Sequence, residues 1–190
     1  MRALVVFESS FGNTGKVAQS VWEGIVGRVR DVALLEVANA PNRLPAELDL
    51  LVVGGPTQAF GMSRPATRAD AQAQAGTTPV EPTTGLREWL AALDPPERVV
   101  YAATFDTRIH SPHVPGSAAA GAMRALRRAG FQLTAESESF WVTGIKGPLR
   151  DGELDRARAW GVGLSGILLG LHPVGPGADR MPDPRPVPPV

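Results

Sequence analysis

The segment Glu8-Ser9-Ser10-Phe11-Gly12-Asn13-Thr14-Gly15-Lys16 gathers residue types that bind anions: hydroxyls, an amide, small residues and a lysine. It lies between two apolar segments of different period. Before it, Ala3-Leu4-Val5-Val6-Phe7 is too short for a helix and reads as a buried strand. After it, Val17, Val21 and Ile25 recur at helical spacing, with Ala18, Trp22 and Val29 beside them. The segment is therefore a strand-to-helix turn. The first amides of a helix lack internal partners, and the helix dipole makes that end partly positive. Such a turn suits a phosphate.

Three motif classes use a turn of this kind. Gly15-Lys16 matches the end of a P-loop, but Ser10 stands where the first glycine belongs and Val17 where the magnesium-binding hydroxyl belongs. That argues against nucleoside triphosphate hydrolysis. Only Gly12 and Gly15 fit a dinucleotide fingerprint. Ser10-Phe11-Gly12 supplies the second half of a nucleophile elbow, with Glu8 in place of its first glycine. The alternative is an ordinary β–α turn with no ligand. Three hydroxyls, an Asn and a Gly close together favour the anion site.

The elements that must position this turn follow from the remaining sequence. At 190 residues with ordinary apolar content, one domain with a sizeable core is expected. Nineteen basic and nineteen acidic residues give a formal charge of zero, so neither nucleic acid nor an anionic membrane is expected as a partner. The absence of cysteine excludes disulfides, zinc-thiolate sites, iron–sulfur ligation and a thiol nucleophile. No apolar stretch reaches transmembrane length. A strand starting at residue 2 leaves no room for a signal peptide, and a cytoplasmic protein is expected.

A second strand is expected over 31–37 and a helical turn over 45–48. Asp49 to Gly55 is a continuous apolar run ended by two glycines, as in a central strand covered on both faces. Residues 68–75 suggest a short helix, followed by a Thr/Pro-rich loop to residue 82. A helix from about Thr84 carries Leu86, Trp89, Leu90 and Leu93 on one face, and Pro95-Pro96 stops it. A fourth strand is expected over 97–104, a helix over 117–128 and a fifth strand over 131–142. The last helix runs from about Asp151 to Leu171. From His172 the chain is Pro/Gly-rich and is expected to be a disordered tail to residue 190. Strands alternating with helices imply a doubly wound α/β fold with a five-stranded parallel sheet; right-handed crossovers restrict the topology, and the order 2-1-3-4-5 is expected. Ligands then sit at the carboxyl ends of the strands, where the loops after strands one, three and four converge.

Those three loops carry a family resemblance. Ser9-Ser10-Phe11-Gly12-Asn13-Thr14 resembles the phosphate loop of flavodoxins, a Ser/Thr-x-Ser/Thr-Gly-x-Thr pattern after the first strand, with Phe11 in its middle hydroxyl slot. Pro56-Thr57-Gln58-Ala59-Phe60-Gly61, after Gly54-Gly55, resembles the family's second loop, which lines one side of the isoalloxazine ring. Thr104-Phe105-Asp106-Thr107, followed by Arg108, resembles the third, which holds the other side. The resemblance covers residues 1–171 at the level of element order. It implies a flavodoxin-like three-layer sandwich that binds FMN and acts in electron transfer, as a carrier or a small flavin oxidoreductase, with a redox partner protein. Many relatives carry His at the position of Gln58, and Tyr or Trp against the flavin. Here Phe60 and Phe105 are the corresponding apolar contacts. The resemblance also gives Gly61 a peptide that turns toward the reduced ring. The competing functional class is a flavodoxin-like module that has lost tight flavin binding and acts through protein–protein contact. Phe11 and Gln58 favour it.

Other constellations carry less. Trp22, Trp89 and Trp160 fall on helices with apolar neighbours and are expected in the core, whereas Trp141 closes strand five near the ligand end. His110 and His113 lack a carboxylate or Cys at fixed spacing, and are expected on a surface loop rather than on a metal. Asp106, His110 and a serine lack the elbow that a triad requires. A phospho-receiver would need an Asp at the end of strand three, where Gly54-Gly55-Pro56 stands.

Overall fold

The computed structural model describes residues 1–76, 84–110 and 116–171. The expected Thr/Pro-rich loop, His113 and the Pro-rich tail lie outside the described residues. The strands are β1 (Arg2–Phe7), β2 (Asp31–Glu36), β3 (Leu50–Pro56), β4 (Tyr101–Ile109), β5 (Gln132–Leu133) and β6 (Glu138–Val142). The helices are α1 (Asn13–Val26), α2 (Pro65–Ala75), α3 (Leu86–Ala92), α4 (Ala118–Arg128) and α5 (Glu153–Leu171). All strand pairs are parallel, in the order β2-β1-β3-β4-β5, with β6 also on β4.

Alternation along the strands sends side chains into two cores. Ala3, Val5, Leu50, Val52, Ala103 and Phe105 face α1 and α5. Leu4, Val6, Leu51, Val53 and Ala102 face α3 and α4, where Leu86, Trp89, Ala122 and Leu126 meet them. Trp89 is fully buried, and Trp22 and Trp160 pack at the edge of the other core. Helices on both faces bury the central strands completely, which is why β1 and β3 read as unbroken apolar runs. At the end of the sheet where β1 begins, buried Asp49 accepts from the Arg2 amide at 2.8 Å and from Arg98 Nη2 at 2.6 Å. Burial raises its pKa, but those hydrogen bonds and the Arg98 charge prevail and hold the carboxyl below the usual aspartate range.

Several boundaries differ from expectation. β4 runs to Ile109 rather than ending at Thr104, because Gly54, Gly55 and Pro56 of β3 go on pairing with Phe105, Asp106 and Thr107. The fifth strand is broken in two. Three steps along β4, from Ala102 to Phe105, face five from Leu133 to Glu138, and the surplus bulges out of the ladder. Residues 45–48 form a turn without a helix. α2 starts at Pro65, three residues before the expected start, with the proline at its first position and Thr67 Oγ1 accepting from the Arg64 amide at 2.9 Å.

Candidate functional site

The carboxyl ends of β1, β3, β4 and β6 surround a cavity of about 310 Å3. The first loop contributes Ser10, Phe11, Asn13 and Thr14. Gly12 is the N-cap of α1 with φ +82°, a left-handed conformation that disfavours any residue with a Cβ. Ser9 does not line the cavity; its Oγ accepts from the Gly15 amide at 3.2 Å. The amides of Asn13 and Thr14 have no intrahelical acceptor and no partner among the described residues. Thr14 is buried, with Oγ1 2.7 Å from Thr107 Oγ1. Two hydroxyls sharing one hydrogen bond leave one proton to donate. Lys16 is exposed and does not line the cavity.

The second loop contributes Pro56, Thr57, Gln58 and Ala59. Gln58 and Gly61 exchange backbone hydrogen bonds of 2.9 and 3.0 Å around a two-residue turn. Its central residues, Ala59 at φ +43° and Phe60 at φ +68°, are both left-handed. Gly61 is not left-handed; the positive φ values fall on the two residues before it. Strain of this kind costs on the order of 1–3 kcal/mol and persists where the surroundings impose it. Here Arg87 donates to the Met62 and Ser63 carbonyls at 2.8 and 3.2 Å. Ser63 Oγ donates to buried Glu8 at 2.8 Å and accepts from Arg68 at 3.0 Å. Arg68 in turn pairs with Glu88 at 3.1 Å. The loop is therefore bolted down just past the turn. Phe60 is 62% exposed and does not line the cavity.

The third loop corrects the sequence reading most. Phe105 is fully buried and cannot touch a ligand in the cavity. Its ring lies edge-to-face with Phe140 and Trp160 at 6.0 and 6.1 Å, and over Gly54, where an added Cβ would come within 2.0 Å of it. Thr104 is buried within β4. Asp106, also fully buried, accepts from Thr57 Oγ1 at 2.7 Å, Ser117 Oγ at 2.5 Å and the Ala119 amide at 3.2 Å. It anchors the start of α4 instead of facing the cavity. Of this loop's expected residues, Thr107 lines the cavity, and Arg108 and Ile109 extend that wall.

Two walls had no assignment in the sequence. α2 supplies Thr67, Asp70, Ala71 and Gln74, and the end of β6 supplies Val142, Gly144 and Ile145. The sequence signal for α2 was its polar, Ala-rich composition; nothing in it indicated a wall. Hydrogen bonds tie the walls together around the cavity. Gln58 Nε2 donates to Ser10 Oγ at 2.9 Å, Asn13 Nδ2 to the Lys146 carbonyl at 2.9 Å, and Lys146 Nζ to the Gln74 carbonyl at 2.6 Å. Asn13 thus spends its amide on the loop after β6. Trp141 stands outside the lining, edge-on to His110 at 4.8 Å.

The parallel strand order with helices on both faces matches solved structures. A flavodoxin from the domain Archaea superposes with a TM-score of 0.59 at 19% identity, over 88% of this chain and 99% of that one. The fold is flavodoxin-like. Oxidised flavodoxin 1 from Bacillus cereus gives a TM-score of 0.61 at 15% identity, over 90% of this chain and 98% of that one. A flavodoxin, WrbA-like protein from Agrobacterium tumefaciens gives 0.57 at 16%, over 89% and 98%. No family model and no curated protein sequence matches the chain. Among the described residues, no helix is long and apolar enough to cross a membrane.

Proposed function

We propose that the cavity binds FMN and that the protein is an electron-transfer flavoprotein, acting as a carrier or a small flavin oxidoreductase with a redox partner protein. The observation that carries this reading is the junction of two features in one cavity. The α1 turn brings first-turn amides and the hydroxyls of Ser10 and Thr14, and the same cavity is lined by apolar Phe11, Pro56, Ala71, Ile109, Val142 and Ile145. FMN has the matching halves, a phosphate and a flat, largely apolar ring. Gln58 Oε1 adds to the fit: it is a buried acceptor on the cavity wall with no partner among the described residues, and FMN carries hydroxyl and N–H donors. Ser10, Thr14 and the amides of Asn13 and Thr14 would hold the phosphate, while Pro56, Ala59 and Ile109 would border the ring. Bound there, FMN would supply one- and two-electron chemistry; the protein orients it and screens it from water.

The phosphate subsite uses neutral donors. A hydrogen bond to a charged group is worth roughly 1.5–3 kcal/mol, so Thr14→Val should weaken FMN about 10- to 150-fold. Riboflavin, which lacks the phosphate, should bind nearly as before. Lys16→Ala should cost much less, because a solvated charge interacts weakly. Titrations of both flavins into the three proteins decide this. Equal losses of FMN and riboflavin in Thr14→Val would reveal a damaged fold, and a larger loss in Lys16→Ala would overturn the neutral-donor subsite.

A second reading is favoured by Phe60. It is exposed, as is Ile145 at 71%, and among the described residues no aromatic from the second or third loop lines the cavity. On that reading the module lacks tight flavin binding and meets another protein through this rim. Purified protein that is yellow and releases FMN on denaturation supports the first reading. Colourless protein that cannot be reconstituted supports the second.

A further inference from the structure

Gln58 is tied to two sides of the cavity at once. Its backbone N–H and C=O are both used inside the turn with Gly61, so only its side chain is left to act. Nε2 donates to Ser10 Oγ at 2.9 Å. That contact occupies a lone pair of the serine and leaves the hydroxyl proton free to point elsewhere. Ser10 sits in the turn that precedes α1 and lines the cavity, so the direction left for its proton is toward whatever the turn holds. Oε1 is buried and has no donor among the described residues. A buried amide oxygen left without a partner is costly, and such groups are commonly met by a ligand or water.

We propose that Gln58 is the residue that reads the polyol-phosphate part of the ligand: Oε1 accepts a hydrogen bond from a ligand hydroxyl, and Nε2 fixes Ser10 so that its proton is donated to the ligand phosphate. The inference rests on the FMN reading above and names the part of the molecule that this side chain selects. The first role is direct binding; the second is positioning through Ser10. Both require an amide. A carboxylate cannot donate to Ser10, and an apolar side chain can do neither.

The test compares three ligands that differ by one part each: FMN, riboflavin without the phosphate, and lumiflavin without the polyol. They are titrated by fluorescence into the parent, Gln58→Met, Ser10→Ala and the double variant. Gln58→Met should weaken FMN about 10- to 100-fold, riboflavin by about 2- to 10-fold, and lumiflavin by less than about 2-fold. In the Ser10→Ala background, Gln58→Met should no longer change the ratio of FMN to riboflavin affinity, because the phosphate effect passes through Ser10. Equal losses for all three ligands would show that Gln58 only supports the turn and would overturn the proposal. An undiminished effect on the FMN to riboflavin ratio without Ser10 would overturn the positioning role. A parent protein that binds none of the three would overturn the FMN reading itself, an outcome separate from either of these.

Discussion

Phe60 and Phe105 occupy equivalent places in the sequence, each just after an apolar strand at the ligand end of the sheet, and the fold treats them in opposite ways. Phe60 is 62% exposed on a left-handed backbone, and Phe105 is fully buried in the core against Phe140 and Trp160. The difference lies in where each strand stops. β3 ends at Pro56, so the chain turns back on itself within a few residues. β4 continues to Ile109 because β3 on one side and β6 on the other still offer it partners. Because β4 runs five residues further than expected, Phe105 changes from an expected ligand contact to framework. The second loop is thus a strained, braced turn at the cavity rim, and most of the third is sheet.

The sharpest way to break this contrast is to truncate both rings. Phe105→Ala should cost about 3–5 kcal/mol in denaturant unfolding, because a fully buried aromatic leaves a cavity behind. Phe60→Ala should stay within about 0.5 kcal/mol. Comparable losses in the two variants would erase the distinction between rim and framework.

Asp49, at the far end of the sheet, gives the comparison a framework control. Its carboxyl is held below the usual aspartate range. The stability it contributes is present above the unfolded-state pKa of about 4 and is lost as pH falls through the lower folded value. Asp49→Asn should therefore cost about 2 kcal/mol at pH 7 and progressively less below pH of about 4. A deficit independent of pH would mean that the carboxylate charge is not what Arg2 and Arg98 recognise.

The backbone of the rim offers a smaller effect of opposite sign. Phe60→Gly removes a left-handed non-glycine residue and should stabilise the protein by about 0.5–1 kcal/mol, the relief of strain being partly offset by unfolded-state entropy. A loss of stability would show that the ring itself holds the turn. Lys146→Met, which cuts the exposed tie between the loop after β6 and α2, should change stability by less than about 0.5 kcal/mol. It should instead speed both entry and release of flavin in stopped-flow fluorescence. Unchanged exchange rates would show that the cavity does not open at that tie.

What could be read from the sequence tracks what depends on local pattern alone. The apolar runs of β1 and β3 and the helical spacing of α1 and α5 follow from periodicity, and handedness narrows the strand order to a few doubly wound patterns, of which the expected one is present. The first loop was legible because its small residues sit directly behind a strand. The length of β4 was not, because Thr104, Asp106 and Thr107 carry hydroxyls and a charge that suggest a loop. The Asp106 carboxylate is buried against donors from distant segments, Thr57, Ser117 and the Ala119 amide, and Thr107 against Thr14. α2 was legible as a helix but not as a cavity wall. Its placement relies on Arg68, a charge that is buried only because Ser63 and Glu88 meet it there. The left-handed pair Ala59 and Phe60 carried no signal, since neither residue favours that conformation.

The central claim is that the α1 turn and the second loop hold FMN between them, and backbone amide NMR tests it most directly. Addition of FMN to the 15N-labelled protein should give its largest amide shifts at residues 10–15, with a second group at 57–61, and little change around Asp49 and Arg98. Riboflavin should reproduce the second group and largely lose the first. Shifts that avoid both loops, or a spectrum that FMN leaves unchanged, would contradict the account.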